Sequence, residues 1–151
     1  MDKIKSLLEG FSLDNIVMPL DTLLGRVEAL VRIAIILGPV IMLVLGLVYW
    51  FRGPKEANRH FGFRTYFGMG SVEAWRFTQK LAGLLWTGLG GLLFIVMGII
   101  SLTLRGKDAY AMMNTAKNCL IWQVVLIALC CLGISIAAAV FFDKDGNPRR
   151  R

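Results

Sequence analysis

The feature that most constrains this chain is the presence of three long stretches without a single charged side chain. They cover residues 33–51, 81–104 and 119–142, which are 19, 24 and 24 residues long. A helix rises about 1.5 Å per residue and the hydrocarbon core of a bilayer is roughly 30 Å thick, so each stretch can cross it. Because lipid offers the backbone no hydrogen-bond partner, the spans must be helical. The sequence predicts an all-α integral membrane protein with three transmembrane helices.

Composition agrees with this prediction and argues against a nucleic-acid partner. Hydrophobic residues make up 56% of the 151 residues and charged residues only 18%, with a net charge of +7. The cations flank the apolar stretches, where they orient a membrane protein and contact anionic headgroups. We therefore expect the lipid bilayer, rather than a nucleic acid, to be the partner of these charges.

The distribution of Lys and Arg predicts an orientation. Ten of them lie close to the spans on the side of the first loop and the C-terminal residues, and five lie on the other side. Cytoplasmic loops carry the excess of positive charge. We expect the first loop and the C-terminus in the cytoplasm, the N-terminus outside, and the protein in a bacterial inner (plasma) membrane.

Three segments are predicted along the chain. Residues 1–32 have apolar side chains at helical spacing and form an amphipathic N-terminal helix that is interrupted at Pro19. A second helical stretch begins at about Asp21 and runs into the first span. The segment either lies in the membrane interface or docks a partner chain. Residues 33–142 form the three-span membrane domain, and residues 143–151 form a basic tail that begins with a polar turn.

The spans contain few polar groups and no carboxylate, which argues against an ion-coupled pump. Pro39 is expected to kink the first span, and Gln123 to make a hydrogen bond between helices. Small residues recur on the second and third spans at Gly83, Thr87, Gly91, Gly133 and Ala137. Such stripes allow close helix packing, either within the chain or in a homo-oligomer or larger complex.

Side chains suited to catalysis or metal binding are sparse. Cys119, Cys130 and Cys131 all lie in the third span without a CxxC spacing, and His60 is the single histidine. No nucleophile, acid and base set accompanies them, so we predict no metal, no cofactor and no enzymatic activity.

The loop between the first two spans concentrates the polar and aromatic groups. Gly62 permits a tight backbone path, and Ser71 is a good N-cap for a helix with Glu73 in its first turn. Arg64 offers a planar five-donor fork that either pairs with Glu73 or binds an anionic headgroup or a peptide carboxylate. Trp75 and the neighbouring aromatic side chains are expected to anchor the segment at the membrane interface.

These loop residues also resemble a known signature. The matching positions are Gly62, Phe63, Arg64, Thr65, Met69, Ser71, Glu73, Trp75 and Gly83. In this order they resemble the SdpI family, in which a G-x-R-T element is followed by Ser, Trp and a glycine-containing membrane helix. The resemblance covers roughly residues 55–100, and it differs from the family's six-span namesake because this chain has three predicted spans.

The resemblance implies an integral-membrane immunity protein that protects bacterial cells from a membrane-active toxic peptide and can bind a regulator protein. We therefore predict an immunity or peptide-sensing protein that binds through the first loop, as a possible homo-oligomer. The predicted binding residues are Gly62, Arg64, Thr65, Ser71, Glu73 and Trp75. The alternative is a small accessory subunit of a larger membrane transporter or respiratory complex, for which the small-residue stripes and the long apolar stripe of the N-terminal segment would be partner surfaces.

Overall fold

The computed structural model describes residues 14–54 and 61–149, and throughout these two ranges the secondary structure is helical, without a β-strand. The helices are α1 (Asp14–Arg52), α2 (Val72–Thr103) and α3 (Ala109–Phe141), with a short 3₁₀ helix (Phe67–Met69) before α2. Within the described ranges, three helices are long and apolar enough to cross a membrane. The predicted all-α, three-span fold is confirmed.

Helix α1 is longer than its predicted span. It runs without interruption from Asp14 to Arg52, so the predicted break at Pro19 is wrong. A proline removes only one hydrogen bond from a helix, whereas ending the helix would leave several backbone groups without partners. Residues 14–32 therefore belong to α1, which continues into the first span as predicted for the stretch from about Asp21. The first thirteen residues of the predicted N-terminal segment lie outside the described residues.

Helices α2 and α3 also begin before the uncharged stretches, because each has a polar N-cap upstream. Ser71 is the N-cap of α2, as predicted, and its hydroxyl oxygen accepts a hydrogen bond of 3.1 Å from the Ala74 backbone N–H. Asp108 caps α3 in the same way through the Ala111 N–H, at 3.4 Å. The caps satisfy donors that the first helical turn leaves free, so both helices start in the polar region outside the apolar core.

Glycines bring α1 and α2 into backbone contact. A Cβ atom added to Gly83 would lie 2.6 Å from the Trp50 backbone nitrogen, and one added to Gly90 would lie 2.7 Å from that of Leu43. On the facing side, a Cβ atom added to Gly46 of α1 would clash with the backbone nitrogen and the hydroxyl of Thr87. The predicted stripe at Gly83 and Thr87 is therefore used for packing within the chain, with Gly90 completing it.

Two residues of the predicted stripes are not used in this way. Gly91 meets only a side-chain methyl of Leu43, at an ordinary 3.9 Å. A Cβ atom on Gly133 of α3 would meet nothing within 4 Å, so the groove predicted there is open in the described part of the chain.

Helix α3 is tied to α1 by the predicted polar contact. The Gln123 side-chain nitrogen donates a buried hydrogen bond of 2.8 Å to the Ile35 carbonyl oxygen. Gly38 makes room for this side chain, since a Cβ atom there would lie 2.6 Å from the Gln123 Oε1 atom. The prediction that Gln123 bonds between helices is confirmed. The three helices together hold the ends of α1 and α2, and the loop between them, at one end of the bundle.

Candidate functional site

The loop before α2 is fixed to that helix through a single buried amide. The Gln79 side-chain oxygen accepts a hydrogen bond of 2.8 Å from the Phe63 backbone N–H, and its nitrogen donates one of 2.7 Å to the Phe63 carbonyl. Gln79 is only 2% exposed. The Gln79 amide thus bonds to both backbone groups of Phe63, as a neighbouring β-strand would. Because Gln79 is buried, this pair of bonds holds the loop in one position.

Trp75 forms the floor of the loop. Its side chain is completely buried, and its indole N–H donates a hydrogen bond of 2.8 Å to the Pro54 carbonyl at the end of α1. The expectation that Trp75 anchors the segment in the membrane interface is wrong. Because the loop folds over α2, the ring packs inside the protein and links the two ends of the loop.

Gly62 has a structural reason to be glycine. Its φ is +127°, a region that side chains rarely adopt, and an added Cβ atom would lie 2.5 Å from the Trp75 ring. Gly62 and Trp75, two of the predicted site residues, are therefore brought into direct contact. The contact supports the backbone immediately before Phe63 and Arg64.

Thr65 begins the turn that leads to α2. Its side chain is buried, and its hydroxyl oxygen accepts a hydrogen bond of 2.9 Å from the Gly68 N–H, while its carbonyl accepts one of 3.2 Å from the Met69 N–H. Gly68 must be small here, because a Cβ atom would lie 2.5 Å from the hydroxyls of both Thr65 and Thr78. Thr65 therefore shapes the loop, and its hydroxyl does not point towards solvent.

The residues after α3 fold back onto this loop, a contact that the sequence did not predict. The Ser71 hydroxyl donates a hydrogen bond of 2.6 Å to the Gly146 carbonyl, and a Cβ atom on Gly70 would lie 2.6 Å from the Gly146 nitrogen. The predicted polar turn is present, since the Gly146 N–H bonds to the Asp143 carbonyl at 3.1 Å. Of the predicted basic tail, Arg150 and Arg151 lie outside the described residues.

Asp143 organises that turn. Its carboxylate accepts hydrogen bonds from the backbone N–H groups of Asn147, at 2.8 Å, and Asp145, at 3.0 Å. These bonds, led by the one from Asn147, hold the pKa of the Asp143 carboxyl below its usual value. The turn presents the Gly146 carbonyl to Ser71.

Arg64 and Glu73 do not form the predicted pair. Both side chains are exposed, and within the described residues neither makes an ion pair or a side-chain hydrogen bond. Arg64 lies between Phe63, whose backbone is bonded to Gln79, and Thr65, which is buried. Arg64 is therefore an exposed arginine between two residues that hydrogen bonds hold in place.

The aromatic residues around the loop divide into two groups. The Phe63 ring packs edge-on against Trp86 with ring centres 5.7 Å apart, and Phe61 lies 5.3 Å from Tyr49. Tyr66, in contrast, is 75% exposed. At the end of α1, Trp50 and Phe51 are exposed and Tyr49 is buried. His60 and the other residues of 55–60 lie outside the described residues.

The described residues contain no group of three His, Cys, Asp or Glu side chains placed to hold a metal ion, and all three cysteines are free.

Sequence reasoning missed three parts of the site, which are Gln79, the Pro54 carbonyl and the contact of Gly146 with Ser71. A signal for Gln79 was present, because it lies four residues after Trp75 and so shares its helix face. A polar residue on the same face as a loop-facing tryptophan is well placed to bond to that loop. No local pattern pointed to Gly146, which comes into contact with Ser71 from 75 residues away.

Comparison with known proteins gives one match. A family model described as the SdpI/YfhL protein family matches residues 55–141, which include the loop, α2 and α3. No curated protein and no solved structure matches the chain.

Proposed function

Since this chain belongs to the SdpI/YfhL protein family, we propose that it is a bacterial immunity protein that binds a membrane-active toxic peptide through the loop before α2. In this proposal it is a multi-pass protein of the inner membrane, with the loop on the cytoplasmic side. A regulator protein is a second possible ligand of the same surface. The loop, rather than the helices, is the proposed binding surface because the polar groups of the chain are concentrated there.

The observation that carries the proposal is the exposed Arg64, which pairs with none of the described residues and lies between two fixed neighbours. Long flexible cations lose conformational entropy when a ligand immobilises them. The hydrogen bonds at Phe63 and Thr65 hold the Arg64 backbone before any ligand arrives, so only the side chain remains to be ordered. A guanidinium suits a carboxylate, such as the C-terminus or an acidic side chain of a peptide.

Four of the remaining predicted residues support or shape the backbone around Arg64. Gly62 and Trp75 support the backbone before Arg64, and Thr65 and Ser71 shape the turn after it. We propose Arg64 as the contact residue and the other four as positioning residues. Glu73, which is exposed in the first turn of α2, would favour a ligand that also presents a basic group. The proposed role requires binding only, and no catalytic step.

The test is protection of a peptide-sensitive bacterium that expresses the full chain. Wild type is expected to raise the lethal dose of the membrane-active peptide, and Arg64→Ala to lower that protection about tenfold or more, as the loss of a charged hydrogen bond implies. Arg64→Lys should be intermediate, because it keeps the charge and loses the planar fork. Arg105→Ala is the matched control, since Arg105 is an exposed arginine in the turn after α2.

Membrane fractions must contain equal amounts of each variant. Undiminished protection by Arg64→Ala at equal membrane levels would contradict the proposal. Gln79→Leu adds a second check, because it leaves Arg64 in place and releases the Phe63 backbone. It should reduce protection less than Arg64→Ala does.

One observation still favours the alternative, an accessory subunit of a larger transporter or respiratory complex. The stripe at Gly83, Thr87 and Gly90 is occupied by α1 and is therefore not free for a partner. No described residue covers Gly88 or Gly133, so another helix has room to pack there. Purification in mild detergent separates the two functions, because an accessory subunit should bring other membrane proteins with it and an immunity protein should be recovered alone or as a homo-oligomer.

A further inference from the structure

Three hollows that share lining residues follow one another along α2, beginning beside the loop, and we refer to them together as the groove. Its first part is a hollow of about 420 Å³ whose lining includes Gly53, Pro54, Arg76 and Lys80. The next part, of about 440 Å³, shares Trp50 and Lys80 with the first and continues past Leu81 to Leu84. The two hollows are therefore neighbours, joined at an aromatic ring and a lysine.

The groove continues along α2 away from the loop. A third hollow of about 650 Å³ also has Leu84 in its lining and extends between α2 and α3. Gly88 on α2 and Gly133 on α3 line it, and an added Cβ atom at either would meet nothing within 4 Å. The absence of side chains at these two positions keeps the inner end of the groove open.

Polarity changes along the groove in one direction. The end beside the loop is lined by the cations Arg76 and Lys80, and none of the described residues lining the three hollows is a carboxylate. Beyond Lys80 the lining is apolar. From Lys80 to Leu92, which also lines the inner hollow, the helix rises about 18 Å. One leaflet of the hydrocarbon core is about 15 Å thick, half of the whole.

From this gradient we infer that the groove is a binding site for one anionic phospholipid. The phosphate lies at Lys80, beside the Trp50 ring, at the level where tryptophan and basic side chains meet headgroups. One acyl chain follows Leu81 and Leu84 inward and ends against Gly88 and Gly133. The cationic end of the groove beside the loop, its mouth, leads to an apolar channel about as long as one leaflet. Such a gradient matches an amphiphile. A transmembrane helix of a second copy would fit less well, because it would place apolar side chains against the charged mouth.

The inference does not depend on protection from a peptide, because the groove lies on α2 below the loop and does not involve Arg64. Binding can be measured on the purified full chain by native mass spectrometry, with equimolar phosphatidylglycerol and phosphatidylcholine that have identical acyl chains. Wild type is expected to retain one phosphatidylglycerol in preference to phosphatidylcholine. Lys80→Gln should reduce this preference about fivefold, the effect expected of one basic side chain near anionic headgroups.

Two matched pairs of variants make the test specific. Lys107→Gln changes an exposed lysine in the turn after α2, away from the groove, and should leave the preference unchanged. Gly88→Leu fills the inner end of the groove and should reduce retention of both lipids. Gly98→Leu, on the same helix at a position that is equally open but outside the lining, should not.

Equal retention of the two lipids by wild type, or an equal preference in Lys80→Gln and Lys107→Gln, would overturn the inference. Displacement of the bound lipid by inorganic phosphate alone would overturn it too, by assigning the mouth to a soluble anion. If Gly88→Leu dissociated a dimer of the chain instead of releasing lipid, the occupant of the groove would be a second copy.

Discussion

Gln123 donates its side-chain hydrogen bond to the carbonyl of Ile35, and this is the carbonyl that Pro39 leaves without a helical partner. A helical carbonyl normally accepts a bond from the N–H four residues later, and in α1 that residue is a proline, which has none. The amide of α3 therefore replaces a missing backbone donor in the middle of α1. In an apolar environment a carbonyl without a hydrogen-bond partner raises the free energy of the folded state. The contact therefore stabilises α1 itself, besides joining two helices.

The first prediction concerns this pair. Gln123→Leu should lower the free energy of unfolding by about 1 kcal/mol, within the range measured for hydrogen bonds between membrane helices. In a Pro39→Ala background the same change should cost clearly less, because the introduced alanine would supply its own backbone N–H to the Ile35 carbonyl. A double-mutant cycle measured by unfolding in detergent checks this. Equal costs in the two backgrounds would mean that the amide does not compensate for the proline.

The second prediction concerns Gly62. Gly62→Ala should destabilise the protein by about 2 kcal/mol or more, because it combines an unfavourable φ with a clash against the Trp75 ring. Gly106→Ala is the matched control, since Gly106 also has a positive φ, of +68°, but open space around it. The melting temperature should fall further for Gly62→Ala. If the two variants melted together, the contact with Trp75 would contribute nothing.

The third prediction concerns pH and the turn at Asp143. The pKa of its carboxyl is held below its ordinary value of 3.8, so the charged form is favoured in the folded turn. The contribution of the carboxylate is therefore fully present above about pH 4 and is lost as the pH falls through the lowered folded pKa. The amide NMR signal of Asn147 should titrate with a midpoint below 3.8.

Asp143→Asn provides the control for that titration. It should remove the midpoint and loosen the turn at every pH, which hydrogen exchange at the Gly146 amide would detect. A midpoint above 3.8 in the wild type, or one that survives in Asp143→Asn, would assign the titration to another group.

The fourth prediction concerns orientation. Tyr66 and Tyr110 are 75% and 80% exposed and lie at opposite ends of α2. With the native cysteines replaced by alanine, Tyr110→Cys should react with a membrane-impermeant maleimide in intact cells, and Tyr66→Cys only after permeabilisation, as the charge distribution implies. The reverse pattern would invert the predicted orientation and place the loop outside the cell.

Much of the architecture could be predicted from the sequence because membranes impose simple requirements. Uncharged stretches of 19 and 24 residues must be helices if they cross lipid, and Ser71 is a cap by its chemistry and position. The role of Gln123 could also be predicted, since a lone amide in an apolar span needs a partner. These conclusions follow from local composition, whatever the neighbouring helices do.

Tertiary structure alone decided the arrangement of the loop. Whether Trp75 faces lipid or protein depends on the path of the chain above it, and Arg64 and Glu73 are close in sequence without being held together in space. The bonds from Gln79 to Phe63 and from Ser71 to Gly146 join residues 16 and 75 positions apart. The sequence determines which segments enter the membrane because burial in lipid is a property of each segment. It does not reveal which polar group satisfies which backbone atom, because that depends on how close the folded helices bring them.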